Sequence, residues 1–148
     1  MSKYSENKTQ FKDFELLCQA LVTMGFSASM LEKHMEKPAN LLDWHGNETH
    51  YLDAQGDKAE LIVRRSNVNR IMGSGLSNDF GFRRDKTTGC YSAVISQYDS
   101  TYFNAEWLLK LKTEYARLGL KKEATRLGYR AVPAKTVNGK IRLRFVKA

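Results

Sequence analysis

The sequence lacks the features that usually mark membrane, secreted and redox-active proteins. Its longest apolar runs, such as residues 93–95, are short, whereas a membrane-spanning helix needs about 20 apolar residues. The polar start of the chain has no apolar segment typical of a secretory signal, so we expect a cytoplasmic location. Its two cysteines, Cys18 and Cys90, match no Cys-x-x-Cys spacing, which argues against a redox motif of that kind.

Motifs of several enzyme classes are also missing. Residues 73–75 (GSG) are not followed by the lysine and helix of a phosphate-binding Walker loop. There is no Gly-x-Ser-x-Gly elbow, and the histidines His34, His45 and His50 do not show His-x-x-x-His spacing. The sequence therefore predicts a protein that is not an enzyme and has no cofactor and no metal site.

Acidic residues are scarce in the last third of the chain. Residues 1–74 contain nine Lys/Arg and ten Asp/Glu, whereas residues 75–148 contain fifteen and six. From residue 110 to the end there are twelve bases and only two acids, Glu114 and Glu123. A concentration of one sign attracts polyanions or acidic partners.

The length of 148 residues suits one domain with one core, so we predict a single domain over residues 1–148. Apolar residues at helical spacing predict a helix over residues 13–24, with Asp13 as its N-cap and Gly25 as its stop. Short strands are candidates at residues 7–12 and 26–33. A strand is predicted at 59–65, followed by an irregular connection at 66–77.

Two hairpins and more helix are predicted in the second half. Residues 80–82 and 90–96 flank a polar turn with glycine, which is a hairpin pattern. Helical periodicity returns at Asn104, and Gly119 is expected to separate this helix from a shorter one that ends at Gly128. Residues 129–132 and 140–146 flank an Asn-Gly turn, which predicts a final hairpin.

These elements predict an α+β fold in which two or three helices pack on one face of an antiparallel sheet. A ferredoxin-like arrangement is one candidate topology.

Five stretches, taken in this order, resemble one protein family. They are residues 8–10 (KTQ), 58–65 (KAELIVRR), 78–82 (NDFGF), 91–96 (YSAVIS) and 138–144 (NGKIRLR). Together they resemble the family named domain of unknown function 1257, which includes a plastid and cyanobacterial reading frame and phage-borne members. The resemblance implies a small cytoplasmic α+β protein, often encoded beside an AAA-type ATPase, and it implies no catalytic residues.

The basic residues give the leading functional hypothesis, which is a non-enzymatic accessory protein that binds a polyanion, with nucleic acid as the preferred one. The alternating pattern of the last strand puts its cations on the side opposite Ile141, Leu143 and Phe145. Tyr91 or Tyr98 could stack on bases if exposed. The predicted binding residues are Lys110, Arg117 and Lys121 on a helix, Lys140, Arg142 and Arg144 on that strand, and Arg83 and Arg84 from a second basic group.

Two alternatives remain open. The protein could be an adaptor that docks on a protein machine such as an AAA-type ATPase, using Phe103, Trp107 or sheet-edge residues. An enzyme acting on nucleotides ranks third, and it would require a buried carboxylate such as Asp79 or Asp99 in a pocket. Solvated basic faces with no ligand are the plain alternative to all three.

Overall fold

The computed structural model describes residues 3–133 and 143–147. Three helices pack on one face of an antiparallel sheet, which confirms the predicted α+β class. The helices are α1 (Phe14–Thr23), α2 (Arg65–Met72) and α3 (Ala105–Arg126), and single 3-10 turns lie at Ala28–Met30 and Asp99–Thr101. The strands are β1 (Tyr4–Phe11), β2 (Glu32–Lys33), β3 (Ala39–Asn40), β4 (Lys58–Ala59), β5 (Leu61–Val63), β6 (Phe80–Arg84), β7 (Tyr91–Ser96), β8 (Tyr129–Pro133) and β9 (Leu143–Lys147).

The main sheet has the strand order β1-β7-β6-β5-β2. All of its pairings among the described strands are antiparallel. A ferredoxin-like arrangement needs a parallel β-α-β pairing, so this sheet does not follow it. The final hairpin, β8 and β9, is a separate antiparallel pair, and its predicted Asn-Gly turn lies outside the described residues.

The main core lies between the sheet and the helices. Phe80 and Phe82 of β6 pack there against Phe26, Phe103 and Trp107. The rings of Phe80 and Phe103 are stacked with centroids 4.8 Å apart. Because side chains alternate along a strand, the residues between them point to the other face of the sheet.

That other face is also covered. Ile62 of β5 and Val94 of β7 pack there with Tyr4, Leu41 and Ala59. The strand predicted at residues 59–65 is present as β5, and both of its faces are buried, because the segment containing β3 and β4 covers the second face.

Residues 66–77 were predicted to be irregular, and this prediction is wrong for most of the segment, because α2 occupies residues 65–72. Val68, Ile71 and Met72 follow an i, i+3, i+4 pattern and pack against the core. Asp79 caps the helix from outside it, since its Oδ1 accepts a hydrogen bond from the Arg65 N–H at 2.7 Å.

The predicted break at Gly119 is also wrong, because α3 is one helix of 22 residues. Glycine in a helix interior costs about 1 kcal/mol, which the strong helix formers around it offset. A Cβ at residue 119 would lie 3.7 Å from Leu16 Cδ1 of α1, so the two helices pack closely there. The strand proposed at residues 26–33 reduces to the 3-10 turn and the two residues of β2.

No helix within residues 3–133 and 143–147 combines the length and the apolar character needed to cross a bilayer.

Candidate nucleic-acid interface

The three predicted cations of α3 differ in their surroundings. Lys110 and Lys121 are exposed, and no carboxylate among the described residues lies within ion-pair distance of either. Arg117 is half-buried and donates to Glu114 Oε2 from Nη2 at 2.8 Å and from Nε at 3.0 Å. Its charge is therefore partly neutralised by its own helix.

Arg83 and Arg84, taken from the second predicted basic group, differ in where their side chains lie. Arg83 forms an ion pair with Glu6 of β1. It follows Phe82, which faces the helices, so its side chain lies on the opposite face of the sheet from α3. Arg84 is exposed at the end of β6, where its backbone N–H donates to Glu60 Oε1 at 3.1 Å. The structure therefore separates Arg83 from the α3 cations.

The final hairpin supplies further exposed cations. Arg144 is exposed, whereas Lys140 and Arg142 lie outside the described residues. Arg144 pairs with Val132, and Arg130 lies two residues before Val132, so the two arginines share one face of the hairpin. Lys147 pairs with Tyr129 and lies on the other face.

After ion pairing, six exposed cations without a described carboxylate partner remain in the last third of the chain. From residue 110 onward, the two acids Glu114 and Glu123 are held by Arg117 and Arg126, and Lys122 is bound to Asp13, the N-cap of α1, at 2.7 Å. That hydrogen bond raises the pKa of Lys122 and lowers the pKa of Asp13. We name the remaining six the C-terminal cations: Lys110, Lys112, Lys121, Arg130, Arg144 and Lys147.

A groove with lysines in both walls lies beside edge strand β1. Two neighbouring cavities of about 670 and 430 Å³ lie between β1 and α3. Lys8 of β1 and Lys112 of α3 line both of them, and Tyr115 contributes an aromatic wall to the larger. This groove was not predictable from local sequence patterns, because its walls come from segments about a hundred residues apart.

The aromatic residues proposed for stacking also change. Tyr91 is only 3% exposed, so it is not available to a base. Tyr98 is exposed, and its hydroxyl lies 2.9 Å from Ser74 Oγ. Sequence reasoning missed Tyr129 and Phe145, which are 42% and 36% exposed on one face of the hairpin. Strand alternation correctly predicts that Phe145 and Arg144 point to different faces of the hairpin. The face that carries Phe145 is nevertheless exposed at Phe145.

The buried carboxylate Asp79 is held by a structural network. Its Oδ2 accepts hydrogen bonds from the Leu42 N–H at 2.8 Å and from Arg64 Nη1 at 2.7 Å. Arg64 also binds Glu32 through two hydrogen bonds of 2.7 and 2.9 Å. Burial raises the pKa of Asp79, and the hydrogen bonds from these donors oppose that rise. The hydrogen bond from Arg64 lowers the pKa of Glu32.

Asp99 is fully buried near the end of β7. Its Oδ2 accepts hydrogen bonds from the Asn78 N–H at 3.0 Å and the Ser96 hydroxyl at 2.8 Å, while its Oδ1 has no described partner. Neither Asp99 nor Asp79 lines the β1–α3 groove. Neither of them lines a third cavity, which lies beside α1. Their positions therefore give no support to the nucleotide-enzyme hypothesis.

Within the described ranges, no group of three or more His, Cys, Asp or Glu side chains is placed to hold a metal ion. His34 is bound to Glu32, with Nε2 2.6 Å from Oε1. His50 Nδ1 lies 3.2 Å from the Ala54 carbonyl oxygen.

Comparison with known proteins identifies neither a family nor a function for this chain. No protein-family model, no curated protein and no solved structure matches this chain. The resemblance to the domain of unknown function 1257 family therefore stays a prediction.

Proposed function

We propose that this protein is a non-enzymatic accessory protein that binds nucleic acid through the C-terminal cations. The observation that carries the proposal is the charge left after ion pairing. From residue 110 onward, both acids are neutralised by arginines, yet six exposed cations remain among the described residues. Such a surplus of one sign has the character of a phosphate-binding surface.

Phosphate contacts of this kind position a nucleic acid without reading its sequence. Lysines and arginines displace counterions from the strand, so the affinity falls as salt rises. At a slope of about −0.7 per contact, the six cations together set a limit of about −4 on the slope of the logarithm of the association constant for a single strand. Lys147 lies on the opposite face of the hairpin from Arg130 and Arg144, so a strand on one face gives a shallower slope.

The hairpin favours single strands over duplexes. Tyr129 and Phe145 lie on the same face as Lys147, and both rings are exposed. Aromatic rings on such a face stack with unpaired bases and contribute about 1–3 kcal/mol per base. Loss of both rings should therefore weaken single-strand binding more than duplex binding.

Fluorescence anisotropy with a labelled single-stranded oligonucleotide over a range of salt concentrations tests the proposal. The triple variant Lys121→Gln, Arg130→Gln, Arg144→Gln should reduce the slope by about 2, from three lost contacts. The matched control is Lys37→Gln with Lys86→Gln, two exposed lysines outside α3 and the hairpin, and it should leave the slope unchanged. Absence of binding at low salt, or an equal effect of both sets, contradicts the proposal.

A second candidate is an adaptor that docks on a protein machine such as an AAA-type ATPase. The residues first suggested for docking, Phe103 and Trp107, are buried in the core, so they are not available. The observation that favours this candidate is a set of exposed leucines on α3. Co-purification from nuclease-treated cells separates the two, because a protein partner survives the treatment and a nucleic-acid tether does not.

A further inference from the structure

Helix α3 carries a second apolar stripe on its solvent side. Leu109, Leu120 and the C-cap residue Leu127 are 63%, 55% and 58% exposed. At 100° per residue these three positions fall within about 20° of each other around the helix axis. The exposed residues Thr113 and Ala116 lie between them on the same side, and the Thr113 hydroxyl donates to the Leu109 carbonyl oxygen at 2.9 Å.

This stripe has the spacing of a helix–helix contact. Positions 109, 113, 116, 120, 123 and 127 follow the three-and-four alternation of a heptad seam, which spans about 27 Å from end to end. Position 123 is Glu123, which is ion-paired to Arg126. The core side of α3 is already occupied by Trp107, Leu108 and Leu111. A core-facing stripe is sufficient to fold the helix, so the second stripe is free to contact another helix.

Cations flank the stripe on both sides. Lys110, Arg117 and Lys121 lie along one flank together with one exposed acid, Glu106, and Lys112 lies on the other. Arg117 is the one of the four that is ion-paired, to Glu114. A partner helix with glutamate or aspartate beside its apolar seam would complement this charge.

A second copy of the chain does not fit this requirement. In an antiparallel pairing of two α3 helices, the flank with Lys110 and Lys121 faces the same flank of the other copy. In a parallel pairing it faces the flank with Lys112. Each copy brings three lysines and only one acid, Glu106, without a described ion-pair partner to these flanks, so like charges predominate in either arrangement and disfavour self-association.

We propose that the exposed stripe of α3, formed by Leu109, Leu120 and Leu127, docks an acidic amphipathic helix of a partner protein. The inference rests on the adaptor candidate and names the chemistry of its partner. It does not require nucleic-acid binding, so the two proposals can fail separately.

The test uses the full chain and two designed, labelled peptides of about 21 residues, long enough to span the stripe. Both carry the same leucine seam, one with glutamate and the other with lysine at the flanking positions. Anisotropy should give binding of the acidic peptide that is at least about tenfold tighter than that of the basic peptide. Equal binding of the two, or no binding of the acidic one, overturns the inference.

Variants locate the binding to the stripe. Leu120→Gln should weaken binding of the acidic peptide by about tenfold or more, because a buried leucine contributes strongly to a helix–helix seam. Leu76→Gln is the matched control, since Leu76 is an exposed leucine in the loop after α2, and it should bind like the parent protein. Both leucines are exposed, so circular dichroism should show that both variants fold.

Two further outcomes decide against the inference. If Leu120→Gln and Leu76→Gln bind alike, the peptide is held elsewhere. If sedimentation shows a dimer of the parent protein that Leu120→Gln dissociates, a second copy covers the stripe. Oligonucleotide affinity measured on the same Leu120→Gln sample should stay unchanged, which separates failure of docking from failure of nucleic-acid binding.

Discussion

Replacement of Asp57 by asparagine should destabilise the fold strongly, because this carboxylate organises the loop between β3 and β4. The residue is 1% exposed. Its Oδ2 accepts hydrogen bonds from the Thr49 hydroxyl at 2.7 Å and the Tyr51 N–H at 2.8 Å, and its Oδ1 accepts from the Leu52 N–H at 2.7 Å and the Asp53 N–H at 3.1 Å. Asparagine has nearly the same shape, but one of its two terminal atoms cannot accept a hydrogen bond.

The expected cost follows from the number of donors that lose their acceptor. Each oxygen of Asp57 serves two donors, so the amide nitrogen of Asp57→Asn leaves two of the four without a partner. A buried donor without a partner costs about 1–3 kcal/mol. We therefore expect the free energy of unfolding to fall by about 3 kcal/mol at pH 7, a large part of the total for a domain of this size.

The same site predicts how this cost depends on pH. Burial alone would raise the pKa of Asp57, but the hydrogen bonds from the Thr49 hydroxyl and three backbone amides outweigh burial and lower it. A lowered folded-state pKa means that the carboxylate stabilises the protein above the unfolded pKa of about 3.9. This contribution is lost as the pH falls through the folded-state value, so the difference between parent and variant should shrink below about pH 4.

Urea unfolding followed by circular dichroism at several pH values between 7 and 3 measures both effects. Asp53→Asn is the control, because Asp53 is exposed and its carboxylate accepts one described hydrogen bond, from the Gln55 N–H. It should change the free energy of unfolding by less than about 0.5 kcal/mol. A similarly small change for Asp57→Asn at pH 7, or a difference independent of pH, would refute the reasoning.

Three further substitutions test the packing, each by thermal unfolding. Phe80→Ala should cost about 3–5 kcal/mol, because it removes a fully buried ring stacked on Phe103, whereas Phe80→Leu should cost less. Tyr115→Phe should cost about 1–2 kcal/mol, since the hydroxyl accepts two backbone N–H groups before α1, at 2.9 and 3.1 Å; an unchanged melting temperature would contradict that role. Gly56→Ala should lower the melting temperature by several degrees, because φ is +114° and the new Cβ would lie 2.5 Å from the Asn40 side chain; a neutral result would show that the loop adjusts freely.

Elements with local signals were predictable from the sequence. Helix α1 begins after Asp13, whose Oδ1 accepts the Leu16 N–H at 3.2 Å, and Gly25 after it has a φ of 111°. The hairpin of β6 and β7 follows from two β-prone runs around a polar turn that contains Gly89. In each case the determining residues lie within a few positions of the element itself.

Helix α2 was missed because its N-terminal cap comes from a distant residue. Arg64 at the cap position makes no capping hydrogen bond with its side chain, and Asp79, seven residues beyond the helix, accepts the Arg65 N–H instead. A short, polar helix of this kind depends on tertiary contacts. At Gly119 a helix break was predicted where none exists. Glycine often ends a helix, but the contact with α1 keeps α3 continuous through this residue.

The number and sign of the charges, and the concentration of bases near the C-terminus, follow from the residue order alone. Which of those bases lack an ion-pair partner depends on the folded arrangement, because ion pairs form over a few ångströms between residues far apart in the chain. Lys122 forms an ion pair with Asp13, 109 positions away in the sequence, and Arg83 forms one with Glu6, 77 positions away. Local periodicity does not encode such distances, since they depend on how the helices and the sheet pack together.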